Sequence, residues 1–132
     1  MPPDSCAMID ANAQWLRGTM ALPKLFINAN PGLNITGSDL EESSLTKEFK
    51  AEGITIFSKH DATNVSGADL VITTAAVKNN HIEIVAAEKQ GIPILGRSEA
   101  IAELMNGKRI IAIAGSHGKT STSALIATIL KQ

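Results

Sequence analysis

The segment 115–121 contains the residue types that bind phosphate, in the order in which a phosphate-binding loop uses them. Glycines let backbone N–H groups approach phosphate oxygens, a lysine ammonium neutralises the β- and γ-phosphates, and a threonine hydroxyl can ligate Mg²⁺. We therefore predict that the segment binds the phosphates of a nucleotide, with Lys119 as the cation and Thr120 as a ligand of Mg²⁺. The predicted phosphate-binding residues are Gly115, Ser116, His117, Gly118, Lys119, Thr120 and Ser121.

The glycine spacing of this segment is shorter than in the general phosphate-loop pattern. That pattern requires a glycine at position 113, where Ile113 stands, whereas the sequence matches G-x-x-G-K-[ST] from Gly115. The alternative is an ordinary strand-to-helix turn in which lysine and threonine occur by chance. The aliphatic run 109–114 before the loop and the helical pattern of about 119–130 after it favour phosphate binding.

Other polar residues follow aliphatic runs that are typical of buried strands. Open parallel sheets bind ligands at the carboxyl ends of their strands, so Asp39, Thr73 and Thr74 are candidate substrate-binding residues. A carboxylate at Asp39 can accept hydrogen bonds from a ribose or a base, and an N-cap for a helix beginning near Glu41 is an equally good interpretation. The two threonine hydroxyls can contact a ligand or hold the following loop.

The elements that must position these residues alternate along the chain. Apolar spacing predicts helices over 22–29, 41–52, 82–90, 98–105 and 119–130, with His81 and Ser98 at two helix starts. Aliphatic runs predict strands over 33–36, 54–57, 70–74, 92–95 and 109–114. Such alternation predicts an α/β, Rossmann-like fold, in which a mostly parallel sheet carries helices on both faces.

Three parts are predicted along the chain. Residues 1–20 contain two prolines and no apolar period, so we expect an irregular segment there, poorly packed over 1–17. Residues 21–106 form the α/β domain. Residues 107–132 supply a strand, a phosphate loop and a helix, which we interpret as the start of a second α/β domain, and its strand is expected to be loosely placed.

Composition excludes several classes of protein. The 132 residues carry 12 basic and 13 acidic side chains and only 3% aromatics, which argues against nucleic-acid and membrane-surface partners. We find no membrane-spanning run and no secretory signal. The single cysteine, Cys6, is predicted to be unreactive. Together with the three histidines it shows no metal-ligand spacing, which disfavours a zinc site.

Several segments taken together resemble the Mur ligases, which build the peptide stem of bacterial peptidoglycan. The phosphate loop is similar to the ATP-binding motif of that family, which implies that residues 115–121 bind ATP with Lys119 as the catalytic residue. The likeness extends over about residues 20–132. Within the family, the chain looks most like the member that joins L-alanine to UDP-N-acetylmuramate. The other matching segments are 36–40 (TGSDL), 59–65 (KHDATNV), 68–75 (ADLVITTA), 91–95 (GIPIL) and 97–105 (RSEAIAELM).

The resemblance implies a UDP-sugar-binding domain followed by the beginning of an ATP-binding domain. It implies that Ser38 and His60 bind the UDP-sugar, although an exposed loop histidine is the alternative for His60. Residues 1–17 do not match the strand and glycine-rich loop that open the family, and Lys59 and His81 replace its usual glycine and proline. We therefore expect a fragment that retains weak ATP–Mg²⁺ binding and does not ligate by itself.

The reaction implied is ATP-dependent amide formation through an acyl phosphate, in the bacterial cytoplasm. A carboxylate resists attack by an amine, and phosphorylation gives it a good leaving group.

The alternative functions are a non-catalytic nucleotide-sugar-binding remnant and the family member that recycles intact peptide. A dinucleotide-dependent oxidoreductase is disfavoured, because no G-x-G-x-x-G follows a first strand. Amino-acid selectivity and oligomeric state are not predicted.

Overall fold

A parallel sheet of five strands forms the centre of the protein. The computed structural model describes residues 5–9, 22–40 and 44–131. The strands are β1 (Ser5–Ile9), β2 (Asn34–Ser38), β3 (Thr55–Phe57), β4 (Leu70–Thr73) and β5 (Ile94–Gly96), in the spatial order β3-β2-β1-β4-β5. Each neighbouring pair is parallel. The predicted α/β fold is confirmed.

Helices cover both faces of this sheet, as predicted. They are α1 (Leu22–Ala29), α2 (Ser44–Ala51), α3 (Ile82–Lys89), α4 (Arg97–Met105) and α5 (Lys119–Leu130), with a 3₁₀ helix at Ala62–Val65. One face packs under α1, α2 and α4 through Cys6, Met8, Phe26, Ile35, Phe49, Ile54, Ile72 and Ala100. The other packs under α3 and the 3₁₀ helix through Ala7, Ile9, Val65, Val71, Val77, Ile84, Ala86 and Ala87. No helix among the described residues is long and apolar enough to cross a membrane.

The expectation of an irregular, poorly packed N-terminal segment is wrong for Ser5–Ile9. These residues form the central strand β1, which pairs with both β2 and β4. Both faces of such a strand are covered, so it requires a continuous apolar run rather than an alternating one. The run from Cys6 to Ile9 is of that kind, and both residues are 1% exposed. Residues 1–4 and 10–20 lie outside the described part of the chain.

Two predicted element boundaries are also wrong. Gly37 does not end its strand but lies inside β2, where a Cβ atom would come within 3.0 Å of the Ile56 side chain, so the tight packing between β2 and β3 favours glycine. Helix α4 begins at Arg97, and its N-cap is Gly96 rather than Ser98. The Gly96 N–H donates to Glu99 Oε2 at 2.8 Å, which satisfies a backbone donor at the helix start.

The predicted strand at 109–114 is not a strand in the structure, whereas the following helix α5 forms as predicted. Ile110 and Ile111 are 57% and 59% exposed, and α5 has no buried residue. A strand needs a neighbour for its backbone hydrogen bonds, and no described segment pairs with 109–114. The expectation that this segment is loosely placed agrees with the structure, and the domain boundary near 106 stays a prediction.

Candidate functional site

The carboxyl end of β1 is the point at which the strand order of the sheet reverses. The chain passes from β1 to β2 and β3 on one side and then to β4 and β5 on the other. Ile9, the last residue of β1, is in register with Ser38 of β2 and Thr73 of β4. Open α/β sheets bind ligands at such a point, so the predicted residues that end these strands lie where a ligand site is expected.

A buried carboxylate connects two of the predicted substrate-binding residues. The Glu83 side chain has no exposed surface, and its Oε2 accepts a hydrogen bond of 2.8 Å from Ser38 Oγ. His60 Nδ1 lies 3.0 Å from the same oxygen and 3.2 Å from Ser38 Oγ. Asn64 Nδ2 donates to the other oxygen, Oε1, at 2.6 Å. The side chains of Ser38, His60 and Asn64 therefore converge on one carboxylate, and Ser38 and His60 are held side by side.

The local structure after β3 explains how His60 and Asn64 reach Glu83. Asp61 caps the 3₁₀ helix, since its Oδ1 accepts from the Thr63 backbone N–H at 2.8 Å and from the Thr63 hydroxyl at 2.7 Å. These hydrogen bonds lower the pKa of Asp61. Asn64 Nδ2 also donates to the Lys59 carbonyl at 2.7 Å, which ties the ends of the segment together. The turn is thereby folded over the first turn of α3.

His81 lies beside this network. It is the N-cap of α3, as predicted, and its Nδ1 accepts from the Glu83 backbone N–H at 3.3 Å. Its ring meets the His60 ring edge to face, with 4.4 Å between the centroids. The pKa of His81 is lowered, mainly because the ring is partly buried and also because it lies beside His60. The nearby Glu83 carboxylate raises this pKa, but its effect is smaller. The neutral imidazole is therefore favoured at this position.

On the other side of β1, Thr74 is buried. The residue is 3% exposed, and Thr74 Oγ1 has no hydrogen-bond partner among the described residues. Such a group costs about 1–3 kcal/mol and is usually explained by a ligand or water. The Thr73 hydroxyl instead donates to the Thr74 carbonyl at 3.4 Å, a long contact that leaves its predicted role untested.

Asp39 and Ser38 border a small hollow, partly open to solvent, at the end of β2. The wall of this hollow is mainly apolar and includes Met8, Pro23, Ile35, Phe49, Ile54 and Ile56. The Asp39 backbone N–H donates to the Phe57 carbonyl at 3.0 Å. The N-cap alternative for Asp39 concerns a helix start at 41–43, outside the described residues.

The phosphate loop has a backbone that suits its predicted role. Gly118 precedes α5 with φ of 77°, a left-handed conformation that strongly favours glycine. Lys119 Nζ donates to the Gly115 carbonyl at 2.6 Å, so the ammonium lies over the loop. Thr120 is exposed in the first helical turn, where backbone N–H groups lack intrahelical acceptors. The loop residues thus fit a triphosphate with Mg²⁺, and His117 is an exposed loop residue.

Glu83 and Asn64 are the site residues that sequence reasoning did not identify. Glu83 is the only acid among the apolar residues of 82–87, and an acid within a buried helical face is a signal of a polar network. Asn64 belongs to a matching segment, but its type alone does not indicate a buried partner.

Comparison with known proteins gives a consistent result. The family described as "Mur ligase family, catalytic domain" matches residues 18–109. A UDP-N-acetylmuramate–L-alanine ligase of Chromobacterium violaceum is 48% identical over 99 residues, which are 75% of this chain and 21% of that protein. A ligase of the same name from Persephonella marina is 48% identical over 101 residues, 76% of this chain and 22% of that protein. The chain therefore spans about a fifth of the length of these curated relatives.

Solved structures share the fold. The crystal structure of UDP-N-acetylmuramate-alanine ligase from Thermotoga maritima superposes with a TM-score of 0.78 at 30% identity, over 96% of this chain and 29% of that one. The UDP-N-acetylmuramate:L-alanyl-gamma-D-glutamyl-meso-diaminopimelate ligase of Neisseria meningitides gives a TM-score of 0.76 at 21% identity, over 96% and 39% of the two chains. The latter likeness concerns the fold alone.

Proposed function

Because the chain belongs to the Mur ligase family, we propose that it carries the UDP-sugar-binding part of a UDP-N-acetylmuramate–L-alanine ligase, together with the phosphate loop of the ATP-binding part. The complete enzyme would join L-alanine to the lactyl carboxylate of UDP-N-acetylmuramate in the bacterial cytoplasm. ATP would activate that carboxylate as an acyl phosphate. Curated relatives at 48% identity carry this name, which favours the alanine-adding member.

The observation that carries the proposal is the group of polar side chains at the carboxyl ends of β2 and β4. Glu83 fixes Ser38 and His60 on one side of β1. The Thr74 hydroxyl, which has no hydrogen-bond partner in the described part of the chain, lies on the other side. An apolar residue in place of Thr74 would satisfy the fold equally well or better, since an unpaired buried polar group destabilises. A nucleotide sugar offers the hydroxyl, phosphate and base acceptors that such groups bind.

The phosphate loop would serve the ATP half of the reaction. Its backbone N–H groups and Lys119 would hold the phosphates, and Thr120 would ligate Mg²⁺. Lys119 can leave the Gly115 carbonyl for a phosphate oxygen by a side-chain rotation, because both groups are exposed. Charge neutralisation at a transferred phosphoryl group is the largest contribution that a protein makes to such chemistry.

A binding measurement on Thr74→Val tests the UDP-sugar site. The change removes only the buried hydroxyl, so we expect unfolding free energy to stay the same or rise by about 1 kcal/mol. If the hydroxyl contacts the ligand, affinity for UDP-N-acetylmuramate falls about tenfold by calorimetry, equivalent to one hydrogen bond. Thr128→Val is the matched control, since Thr128 is exposed on α5 and should leave affinity unchanged.

Two results would contradict the proposal. The first is no saturable binding of UDP-N-acetylmuramate to the folded chain at millimolar concentration. The second is unchanged affinity in Thr74→Val, which would remove Thr74 from the site. Tighter binding of NAD than of the UDP-sugar would favour an oxidoreductase domain instead.

A further inference from the structure

Two histidines and a buried carboxylate that are distant in the sequence come together beside β2. Ligand atoms of His60, His81 and Glu83 all lie within 4.8 Å of one another. Glu83 Oε2 is 3.0 Å from His60 Nδ1 and 3.7 Å from His81 Nδ1. Two atoms bound tetrahedrally to one Zn²⁺ are about 3.3–3.5 Å apart, given metal–ligand bonds of about 2.0–2.2 Å. These two distances lie on either side of that value, whereas the 4.8 Å span of the whole set exceeds it, so the side chains would close in on a bound ion.

The charge of Glu83 provides an independent argument. The carboxylate is fully buried, and within the described residues its ion-pair partners are His60 and His81, with no lysine or arginine among them. A buried carboxylate needs a counter-charge, because desolvation of an isolated ion is very costly. A divalent cation between the three side chains supplies that charge.

The groups around the carboxylate resemble the outer contacts that orient metal ligands. Asn64 Nδ2 holds Glu83 Oε1, which leaves Oε2 facing the histidines, and Ser38 Oγ donates to Oε2 from a separate strand. Glu83 is further fixed because it stands in the first turn of α3. His81 Nδ1 accepts the Glu83 backbone N–H at 3.3 Å and would release it to ligate a metal. Such outer hydrogen bonds set the orientation of ligating carboxylates in metal sites.

We propose that His60, His81 and Glu83 bind one divalent transition-metal ion, with Zn²⁺ as the best match. Two imidazoles and one carboxylate are donors that Zn²⁺ prefers, whereas Mg²⁺ prefers oxygen ligands throughout. The site is separate in residues from the ATP-bound Mg²⁺ expected at Thr120. Three protein ligands leave a fourth position for water or for an oxygen of a ligand at the sheet edge. Local sequence spacing disfavoured zinc, because these donors meet only in the folded chain.

The test compares two histidine variants of the folded 132-residue chain. His81→Ser removes one ligand while a serine hydroxyl retains the N-cap, and His117→Ser removes the third histidine of the chain from an exposed loop. Zn²⁺ affinity is measured by competition with a chelating dye, and Co²⁺ is used for its visible absorption. We expect one equivalent of metal in the wild type and in His117→Ser. In His81→Ser we expect at least a tenfold loss of affinity and of the Co²⁺ band.

Histidine NMR gives a readout that does not depend on variants. Titration with Zn²⁺ should move the ring signals of His60 and His81 together and leave those of His117 unchanged. No saturable binding by the folded wild type, or equal affinity in wild type and His81→Ser, would overturn the proposal and leave a hydrogen-bond network only. Loss of binding in His117→Ser alone would assign the metal to the loop and overturn it as well.

Discussion

Replacement of Glu83 should destabilise the chain in a way that depends on what replaces it. Glu83→Ala removes the acceptor of Ser38, His60 and Asn64 at once and leaves three polar side chains without their partner. Removal of one member of a buried, charged network costs about 3–5 kcal/mol. Because small domains are stable by only about 5–15 kcal/mol, this is a large fraction of the total.

Glu83→Gln should cost much less, about 1–2 kcal/mol. The amide keeps the shape of the side chain and retains one oxygen for Asn64. Its NH₂ group can donate to Ser38 and His60, since a hydroxyl and an imidazole can each act as acceptor. The variant therefore loses the charge but keeps most of the hydrogen bonds.

Urea unfolding followed by circular dichroism measures both changes by linear extrapolation. Glu88→Ala is the control, since Glu88 is exposed on the same helix and should change the free energy of unfolding by less than about 0.5 kcal/mol. The reasoning fails if Glu83→Ala stays within 1 kcal/mol of this control (about a fivefold change in the folding constant). It also fails if Glu83→Gln is as damaging as Glu83→Ala, because the hydrogen-bond network would then not carry the effect.

Three further outcomes follow from other groups. Burial raises the pKa of the Cys6 thiol to about 12, so the native chain should not react with a thiol reagent at pH 8, whereas the urea-unfolded chain should react rapidly. His81 has a pKa lowered from 6.5 in the folded state, so the unfolded chain takes up a proton first on acidification. In EDTA, the free energy of unfolding should therefore decrease as pH falls through about 6.5, and less so in His81→Ser. Lys119→Ala should weaken ATP–Mg²⁺ binding by calorimetry at least tenfold, about 1.4 kcal/mol, while His117→Ala should leave it nearly unchanged.

The sequence predicts the outer strands and the helices well because local signals mark their ends. The helix at Leu22–Ala29 stops at Asn30, Pro31 and Gly32 as expected, since proline and glycine interrupt helical hydrogen bonding. The aliphatic run at Leu70–Thr73 is a buried strand for the reason given from sequence, its β-branched content. These features depend on residues within a few positions of one another.

The central strand could not be recognised in the same way. The segment Ser5–Ile9 contains Cys, Ala and Met, which have little β preference, and two prolines precede it. Its conformation comes from pairing with β2 and β4, both of which are distant in the sequence. The opposite error at 109–114 has the same origin, because strand propensity does not form a strand without a partner to accept its hydrogen bonds.

The buried polar groups at one edge of the sheet are explained by the site rather than by the fold. The two apolar clusters account for the packing of both faces, and neither needs the carboxylate of Glu83 or the hydroxyl of Thr74. Both groups are buried at a cost, and both lie near the ends of strands that flank β1. Natural sequences depart from consistent apolar packing mainly at functional sites. These buried polar groups lie at the point where the strand order reverses, so ligand binding at this edge explains their presence better than stability does.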